Sequence, residues 1–474
     1  VYISDGLVPF NAVAGKFIAC ALSIGTGNSL GPEDPSLHMG AGVASLLGRV
    51  FRLQREQMRL IAPVGAAAGL AAAFNTPIAA VLFVIEEVVS GWGGGVLGSI
   101  VLSAVSATVV VRWFLGDQPL FAVPEFTLRS SYELLVYALL GVVGGLLSAV
   151  FVKLVKRLRS HAAVWPSKMI YGQSLGAGML VGLAGLWLPE VMGAGYGAIG
   201  SAMHDRFSWD RLLILGVVKM VVTLLCFSAG TPGGMFAPTL FTGAMIGGGI
   251  GGLAARFLPV PVSAPSAYVL VGMGTFFAGV FRAPMTSIFM VFEASASYVI
   301  ILPVMIANTV AYLISRRLQR VPFFTMIAHE EGLDLPSVEA QREAHLLHVE
   351  DAMSPAPTVL LPETPVARAL EEVERIGPVL VAREEGSWCW AGKADLQQAM
   401  QAGKGDRALA DALDLAAAPR LYPDLSIDAA LRLLGSHPVL PVSSRARPYR
   451  LLGVVRLEDV RRAYAIPPPG KRPE

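Results

Sequence analysis

The sequence predicts an α-helical protein that crosses a membrane several times and is followed by a smaller α/β unit. Two observations predict the membrane part: an apolar composition, and two internal repeats whose apolar segments are interrupted by glycine and proline. A third observation predicts the α/β unit: beyond a polar, acidic segment at about 317–347, the sequence from about residue 348 alternates helix and strand patterns.

The composition is typical of a membrane protein. Of the 474 residues, 54% are hydrophobic and 15% are charged, whereas about a quarter of the residues in a soluble protein are charged. The net charge of +2 gives no indication of a nucleic-acid partner. Cys20, Cys226 and Cys389 have neither disulfide nor metal-ligand spacing, so the sequence predicts no disulfide and no metal site.

The internal repeat aligns without gaps and pairs Lys16 with Lys219 and Gly31 with Gly234. Duplicated apolar segments of this kind are typical of transporters, whose substrate site lies between the two repeats. Fifteen residues precede Lys16, whereas about a hundred mostly apolar residues lie between the end of the first copy and Lys219, so we expect the N-terminal helices of the first repeat to be missing from this chain. The paired segments are residues 16–41 with 219–244 and residues 65–86 with 272–293.

The apolar segments predict broken helices in addition to simple membrane spans. Several are shorter than the roughly 20 residues that a full span needs, and many contain glycine or proline. Irregular backbone at membrane depth is tolerated where it is buried in protein or lines a cavity. The segments are residues 10–30, 58–92, 93–115, 131–157, 168–190, 210–229, 235–258, 266–292 and 299–316.

The second unit contains a weaker repeat of its own. Each copy has an amphipathic helix followed by a strand (GPVLVAR or HPVLPVS), then a second strand and a helix that contains Asp395 or Asp459. This order resembles a tandem CBS pair. Arg316 and Arg317 at the end of the membrane part predict a cytoplasmic flank. The expected divisions are a transmembrane domain at 1–318, a linker at 319–347, the CBS pair at 348–466 and a disordered tail at 467–474.

Two repeat-related turns predict an anion site. GPEDP (31–35) and GMFAP (234–238) each place a glycine-containing turn before an apolar helix. The free backbone N–H groups and the positive end of the helix dipole at such a turn bind anions. Two of these ends, meeting between opposed repeats, would form an anion site without a full positive charge, which suits a transported ion that must also leave.

Four segments together resemble the CLC family of chloride channels and chloride/proton antiporters. In chain order they are GNSLGPEDPSLHMGA, GAAAGLAAAFNTPIAAVLFVIEE, GTPGGMFAP and GMGTFFAGVFRAPMTSIFMVFE. The resemblance covers nearly the whole chain, because many CLC proteins carry a C-terminal CBS pair. It implies an inverted-repeat fold with broken helices, a homodimer with one pore per subunit, and a place in the cell (inner) membrane with the CBS pair in the cytoplasm.

The resemblance also assigns roles to individual residues. Glu33 matches the external gating glutamate, whose carboxylate blocks the anion path and moves aside when protonated. Glu87 matches the internal glutamate that relays protons in antiporters. The gate loop then comprises Gly31, Pro32, Asp34 and Pro35, and the implied anion-binding residues are Gly234, Met235, Phe236, Ala237 and Phe324, with the anion held by the backbone N–H groups of Met235 and Phe236.

Simpler interpretations exist for several of these residues. Glu33 is also compatible with an acid that merely stabilises a helix N-terminus, and one of the adjacent acids Glu86 and Glu87 is expected to be structural. Lys16 and Lys219 either raise the potential of the pore or extend to an interface. His38 is expected to be a hydrogen-bonded helix residue, with pH sensing as the alternative.

The chain departs from the family pattern at the gate and at the central anion site. Pro32 replaces an arginine and removes a backbone donor, Asp34 replaces a glycine and is expected to titrate together with Glu33, and Phe324 replaces a tyrosine. The family's serine-bearing loop would lie upstream of Val1. We therefore expect weak halide binding and loosened proton coupling. In the CBS pair, Gly392 and Arg456 stand where nucleotide-binding members have Ser or Thr, so dimerisation is expected in place of nucleotide binding.

The leading functional interpretation is exchange of chloride, or a similar small anion, for protons. A passive CLC channel, gated by voltage or pH, is the near alternative, and a non-transporting membrane anchor for the CBS pair is a third. The sequence shows no nucleophile–base pair and no metal-ligand cluster, so neither an enzyme nor a cofactor is expected. The expected partners are the anion, protons, the lipid bilayer and a second copy of the chain.

Overall fold

The computed structural model describes residues 6–463, apart from residues 89–93, 118, 122, 125–127, 129, 131, 164–169, 259–261, 320, 331–346, 357–358, 377–378, 383–386, 416, 435–436 and 446–449. The chain forms two compact units, Val1–Leu335 and Pro336–Glu474. Most of the predicted linker and the whole predicted tail at 467–474 lie outside the described residues.

The first unit is helical throughout its described part. A π-helical turn, Val84–Val88, continues the helix Pro77–Phe83, and a 3-10 turn, Pro189–Val191, follows the helix Ile170–Trp187. The helices are α1 (Phe10–Gly25), α2 (Glu33–Val50), α3 (Arg55–Phe74), α4 (Pro77–Phe83), α5 (Gly94–Leu115), α6 (Glu133–Ala163), α7 (Ile170–Trp187), α8 (Tyr196–Met203), α9 (Trp209–Ser228), α10 (Phe236–Phe257), α11 (Pro265–Phe281), α12 (Pro284–Ser295), α13 (Ile301–Leu318) and α14 (Phe323–Glu330).

Helix α14 lies within the segment predicted as a linker, and that part of the prediction is wrong. The helix belongs to the first unit and buries Phe323, Met326 and Ala328 on one face. The sequence change at SRRLQR marked the end of α13, but it did not reveal a short amphipathic helix beyond it.

Five segments of the described chain are long and apolar enough to cross a membrane. In α10, 83% of the most apolar 18-residue stretch is buried inside the protein, whereas in α5 the buried share of that stretch is 17%. Helix α10 is therefore central and α5 is peripheral. The five segments are Val96–Leu115, Glu133–Ala162, Trp209–Ser228, Phe236–Phe257 and Ile301–Glu330.

The predicted broken helices are confirmed, and both repeats break in the same way. Helix α3 ends at Asn75 in the left-handed conformation, with φ 55°, and α4 begins at Pro77. Helix α11 ends likewise at Arg282, with φ 60°, and α12 begins at Pro284. A left-handed residue ends a helix, and proline is favoured in the first turn of the next one because its missing N–H is not needed there.

Glycine pairs bring the repeat-related helices into close contact. A Cβ at Gly40 of α2 would overlap the carbonyl of Gly65 on α3, and a Cβ at Gly243 of α10 would overlap the carbonyl of Gly272 on α11. Small residues allow helix backbones to approach closely in membrane proteins, where van der Waals packing drives association. Each repeat therefore contains one tightly packed helix pair that precedes its break.

The second unit contains two three-stranded sheets. One has the order β2 (Val359–Leu360), β3 (Val379–Ala382), β4 (Trp388–Ala391), and the other the order β1 (Ser354–Pro355), β6 (Leu451–Val455), β5 (Leu440–Ser443). The first strand of the unit therefore pairs with the last, antiparallel, so the start of the first copy completes the sheet of the second. The helices of this unit are α15 (Val349–Ala352), α16 (Val366–Ile376), α17 (Lys393–Gln401), α18 (Leu409–Ala412), α19 (Ile427–Leu434) and α20 (Leu457–Ala463).

Each sheet of this unit packs against helices to form its own apolar core. Val366 and Leu396 pack with strand β3 in the first core, and Ile427 and Val460 pack with strand β5 in the second. The predicted α/β character of this segment is confirmed by the alternation of these helices and strands.

The close contact of α10 and α11 gives a stability prediction. Gly272→Ala should lower the free energy of unfolding by about 1–3 kcal/mol, because a methyl group has no space between the two backbones. Thermal unfolding in detergent measures the loss. Gly182→Ala is the matched control, since a Cβ at Gly182 of α7 meets nothing within 4 Å. Equal stability of the two variants would contradict the packing argument.

Candidate anion site

The two repeat-related turns are joined by a pair of backbone hydrogen bonds. The N–H of Gly31 donates to the Gly234 carbonyl at 2.8 Å, and the N–H of Gly234 donates to the Gly31 carbonyl at 2.7 Å. Helix α2 begins two residues after the first glycine, and α10 begins two residues after the second. Because its N–H is used in this bridge, Gly234 has no N–H to donate to an anion. Its role is to let the two turns approach closely.

The carboxylate of Glu33 lies at the N-terminus of α10. Its Oε1 accepts hydrogen bonds from the backbone N–H of Ala237 at 3.0 Å and from the hydroxyl of Tyr196 at 2.7 Å. Glu33 is 1% exposed, and its Oε2 has no hydrogen-bond partner within the described part of the chain. A negatively charged side chain of the first repeat thus occupies the anion-binding end of a helix in the second repeat.

The glycines of the bridge provide the space for this carboxylate. A Cβ at Gly31 would overlap the Glu33 carboxylate, and a Cβ at Gly234 would lie 2.9 Å from its Oε2. Any larger residue at these positions would displace the side chain of Glu33. The two glycines identified by the repeat alignment are therefore required for close approach.

The rest of the gate loop is held by contacts that do not involve Glu33. The carbonyl of Pro32 accepts hydrogen bonds from Ser36, through its N–H at 3.1 Å and its hydroxyl at 2.9 Å, and Pro35 is buried. Asp34 forms an ion pair with Lys16 at 2.7 Å, and its side chain is 45% exposed. The joint titration of Asp34 and Glu33 stays a prediction, although Asp34 has its own cationic partner.

Lys219, the repeat counterpart of Lys16, has a different role. It is fully buried, and its ammonium donates to the carbonyls of Val191 at 2.9 Å and Gly193 at 2.6 Å. The ammonium also lies 4.9 Å from the centroid of the Phe241 ring, a cation–π distance. Of the two interpretations for Lys219, extension to an interface is wrong, because its ammonium is hydrogen-bonded inside the protein, and an effect on the potential of the pore stays a prediction.

Aromatic rings surround Phe236, the first residue of α10. Phe324 stacks on Phe281 with ring centroids 5.3 Å apart and contacts Phe83 at 6.0 Å. These side chains offer no hydroxyl, and Met235, which precedes Phe236, is also buried. The rings in contact with that of Phe236 are Phe74, Phe83, Phe277 and Phe281.

Glu86 and Glu293 are reciprocal helix caps that link the two repeats. Glu86 accepts hydrogen bonds from the N–H groups of Met285 and Thr286, at 3.3 and 2.9 Å, at the start of α12. Glu293 accepts from Ile78 and Ala79, at 2.9 and 2.8 Å, at the start of α4. Each acid thus satisfies the free N–H groups in the first turn of the other repeat's helix.

The cap contacts distinguish the role of Glu86 from that of the adjacent Glu87. Glu86 is the structural one, because both of its oxygens are used at α12. Glu87 follows it in the π-helical turn and is half-buried. π-Helical turns occur frequently at functional sites, so the proton-transfer assignment of Glu87 stays open as a prediction.

Comparison with known proteins identifies the family of this chain. Residues 3–316 match the family described as voltage gated chloride channel. The chain belongs to this family. A putative chloride channel protein, ClcB-like, of Ralstonia nicotianae is 34% identical over 316 residues, which cover 66% of this chain and 73% of the relative. The H(+)/Cl(-) exchange transporter ClcA of Vibrio campbellii is 33% identical over 323 residues, which cover 66% and 68%.

Solved CLC structures share the fold. A slow cyanobacterial Cl−/H+ antiporter is 26% identical, with a TM-score of 0.60 over 65% of this chain and 73% of its own. A eukaryotic CLC transporter is 20% identical, with a TM-score of 0.54 over 91% of this chain and 77% of its own. The second likeness shows the fold alone, and it extends over more of the chain than the first unit supplies.

Tyr196 was missed by sequence reasoning. The repeat alignment identified Gly31, Glu33 and Gly234, but Tyr196 lies outside the aligned segments 219–244 and 272–293. The one available signal was the glycine-rich turn GAGY before a short helix. Glu293 was found as a repeat partner of Glu86, although the sequence did not show what either residue binds.

The reciprocal caps predict matched losses of stability. Glu86→Ala and Glu293→Ala should each lower the free energy of unfolding by about 2 kcal/mol, since each leaves two N–H groups of a helix end without a charged acceptor. Thermal unfolding in detergent measures both. Glu371→Ala, which removes an exposed acid on α16, should have little effect. A loss confined to one of the two caps would contradict their equivalence.

Proposed function

We propose that this protein exchanges chloride, or a similar small anion, for protons across a membrane. The observation that carries the proposal is the Glu33 carboxylate, bound through Oε1 at the N-terminus of α10. Membership of the chloride channel family and the likeness to relatives named H(+)/Cl(-) exchange transporter support it. The carboxylate stands in the place where the anion would bind.

Exchange follows from competition for one position. While Glu33 is ionised, its charge is favoured by the positive end of the helix dipole and excludes a second anion. Protonation removes that charge, weakens the interaction with the N–H of Ala237 and allows the side chain to leave. Chloride then takes the vacated position, so a proton and an anion alternate at the same place.

Glu87 is the proposed proton relay on the path to Glu33. An acid within a membrane-spanning region is costly and marks a functional position by default. Its neighbour Glu86 has a structural role as a cap, and Glu87 lies beside it in the π-helical turn Val84–Val88. The gate loop of Gly31, Pro32, Asp34 and Pro35 holds Glu33 in register with α10.

A passive channel is the second candidate, and two observations favour it. Phe324 offers no hydroxyl to the anion on the aromatic side of α10, and Pro32 removes a backbone donor from the gate loop. Fewer donors bind the anion more weakly, and weak binding loosens the exchange. A membrane anchor without transport has no use for the Glu33 arrangement.

For the second unit we infer a tandem CBS pair on the cytoplasmic side of an inner-membrane homodimer. The duplicated sheets, completed by exchange of β1, support this assignment. The carboxylate of Asp459 accepts hydrogen bonds from Ser354 at 2.7 Å and from the N–H of Arg456 at 3.0 Å. Because this acid is already bound, and Gly392 replaces a hydroxyl residue in the other copy, adenine nucleotide is not the proposed ligand.

Proton-coupled transport is tested in liposomes by recording chloride efflux and external pH together. The wild-type protein should move protons against a chloride gradient. Glu87→Gln should abolish proton movement while chloride flux continues, and Glu33→Ala should give chloride flux without protons at every pH. Glu87→Gln removes the proposed proton relay, and Glu33→Ala removes the proposed gate.

Glu86→Gln is the matched control for Glu87→Gln, because it neutralises the adjacent acid that serves as a cap. Proton movement should persist in this variant. Chloride flux without proton movement in the wild-type protein would establish the passive channel and remove the relay role of Glu87. Absence of any anion flux would support the anchor.

The missing hydroxyl of Phe324 gives a further prediction. Phe324→Tyr should strengthen chloride binding about tenfold, because a new donor to a charged ligand contributes about 1.5 kcal/mol. Isothermal titration calorimetry measures the affinity. Phe257→Tyr at the exposed end of α10 is the control. Tight chloride binding by the wild-type protein that Phe324→Tyr fails to strengthen would contradict the prediction.

A further inference from the structure

We propose that Tyr196 is the side-chain donor to the transported anion at the position that the Glu33 carboxylate occupies. Its hydroxyl would hold the carboxylate when the gate is closed and the anion when the carboxylate has left. This inference rests on the proposed anion transport and adds to it a specific side-chain ligand.

Two donors converge on one oxygen. Glu33 Oε1 accepts the N–H of Ala237 at 3.0 Å and the hydroxyl of Tyr196 at 2.7 Å. The first donor belongs to α10 and the second to α8, whereas the carboxylate belongs to α2. When Glu33 moves away, both donors therefore remain, and they point at the space that its oxygen has left. That space suits a small anion.

The backbone before Tyr196 is fixed in place. Gly195 has φ +83°, and a Cβ there would overlap the ring of Phe241, so the turn fits glycine alone. Tyr196 is the first residue of α8, and its ring lies 6.2 Å from that of Phe121. A rigid donor loses little entropy on binding and keeps its direction without the carboxylate.

Lys219 fixes the preceding part of the same turn. Its ammonium binds the carbonyls of Val191 and Gly193 at 2.9 and 2.6 Å, and the N–H of Gly193 donates to the Gly27 carbonyl at 3.0 Å. Within the described residues no carboxylate forms an ion pair with Lys219. The two hydrogen bonds of its ammonium therefore hold the segment that leads to Tyr196.

The repeat-related lysines Lys16 and Lys219 have different partners. In the first repeat, Lys16 binds the carboxylate of Asp34. The position that corresponds to Asp34 in the second repeat is Ala237, which has no carboxylate. Lys219 is consequently available to bind backbone carbonyls, and Ala237 supplies its N–H to the anion position.

The test measures chloride binding by calorimetry in the Glu33→Ala protein, where no carboxylate competes. Adding Tyr196→Phe should weaken chloride affinity about tenfold, because one hydrogen bond to a charged ligand is lost. In the protein that retains Glu33, Tyr196→Phe should let chloride flux persist to higher pH, since the ionised carboxylate is held less firmly. Tyr298→Phe is the matched control, because that tyrosine is 79% exposed.

Tyr196→Leu provides a second variant that should lose the same affinity if the hydroxyl is responsible, and size-exclusion chromatography in detergent monitors folding of both. Unchanged affinity and an unchanged pH profile in Tyr196→Phe would overturn the inference while leaving the proposed transport intact. Absence of chloride binding to Glu33→Ala would also overturn it. Absence of flux in the wild-type protein would count against the proposed transport alone, because the calorimetry does not depend on turnover.

Discussion

The backbone bridge between Gly31 and Gly234 is the constraint on which the site depends. Two hydrogen bonds of 2.8 and 2.7 Å hold the starts of α2 and α10 together. This distance places the Glu33 side chain of one helix at the free N–H groups of the other. A side chain on either glycine would collide with the carboxylate. The position of the proposed gate is thus set by backbone atoms before any side chain contributes.

The two halves of the first unit make matching contacts around this bridge. Each repeat has one glycine-mediated helix pair, one break with a left-handed residue followed by proline, and one acid that caps the broken helix of the other repeat. Glu86 and Glu293 bind the same two helix positions in opposite halves. Because the caps cross between halves, neither broken helix has its N-terminus satisfied by its own repeat alone.

The two repeats differ at the residues of the proposed gate. Glu33 in the first repeat corresponds to Phe236 in the second, so one helix start carries the carboxylate and the other receives it. Asp34 corresponds to Ala237, and this difference gives Lys16 an acidic partner and leaves Lys219 bound to carbonyls. An exact duplication would place two carboxylates at the bridge, and their mutual repulsion would prevent either from occupying the anion position.

The sequence predicted much of this architecture, because the repeat itself is a sequence signal. It identified the two turns, the two helix breaks and Glu33, all of which depend on residues with special backbone or charge properties. It did not show that Tyr196 binds Glu33, that Lys219 is buried, or that α14 forms after residue 318. Those features are contacts between distant segments, and periodicity reports which face of a helix is apolar without showing its partner.

Two groups of contacts near the start of α10 differ in polarity. Around Glu33 there are the N–H of Ala237, the hydroxyl of Tyr196 and a turn held by a buried ammonium. Around Phe324 there are aromatic rings without a hydroxyl. In the proposed mechanism the anion takes the position where these donors converge. Because the Glu33 carboxylate competes for that position, the passage of the anion would depend on the proton carried by Glu33.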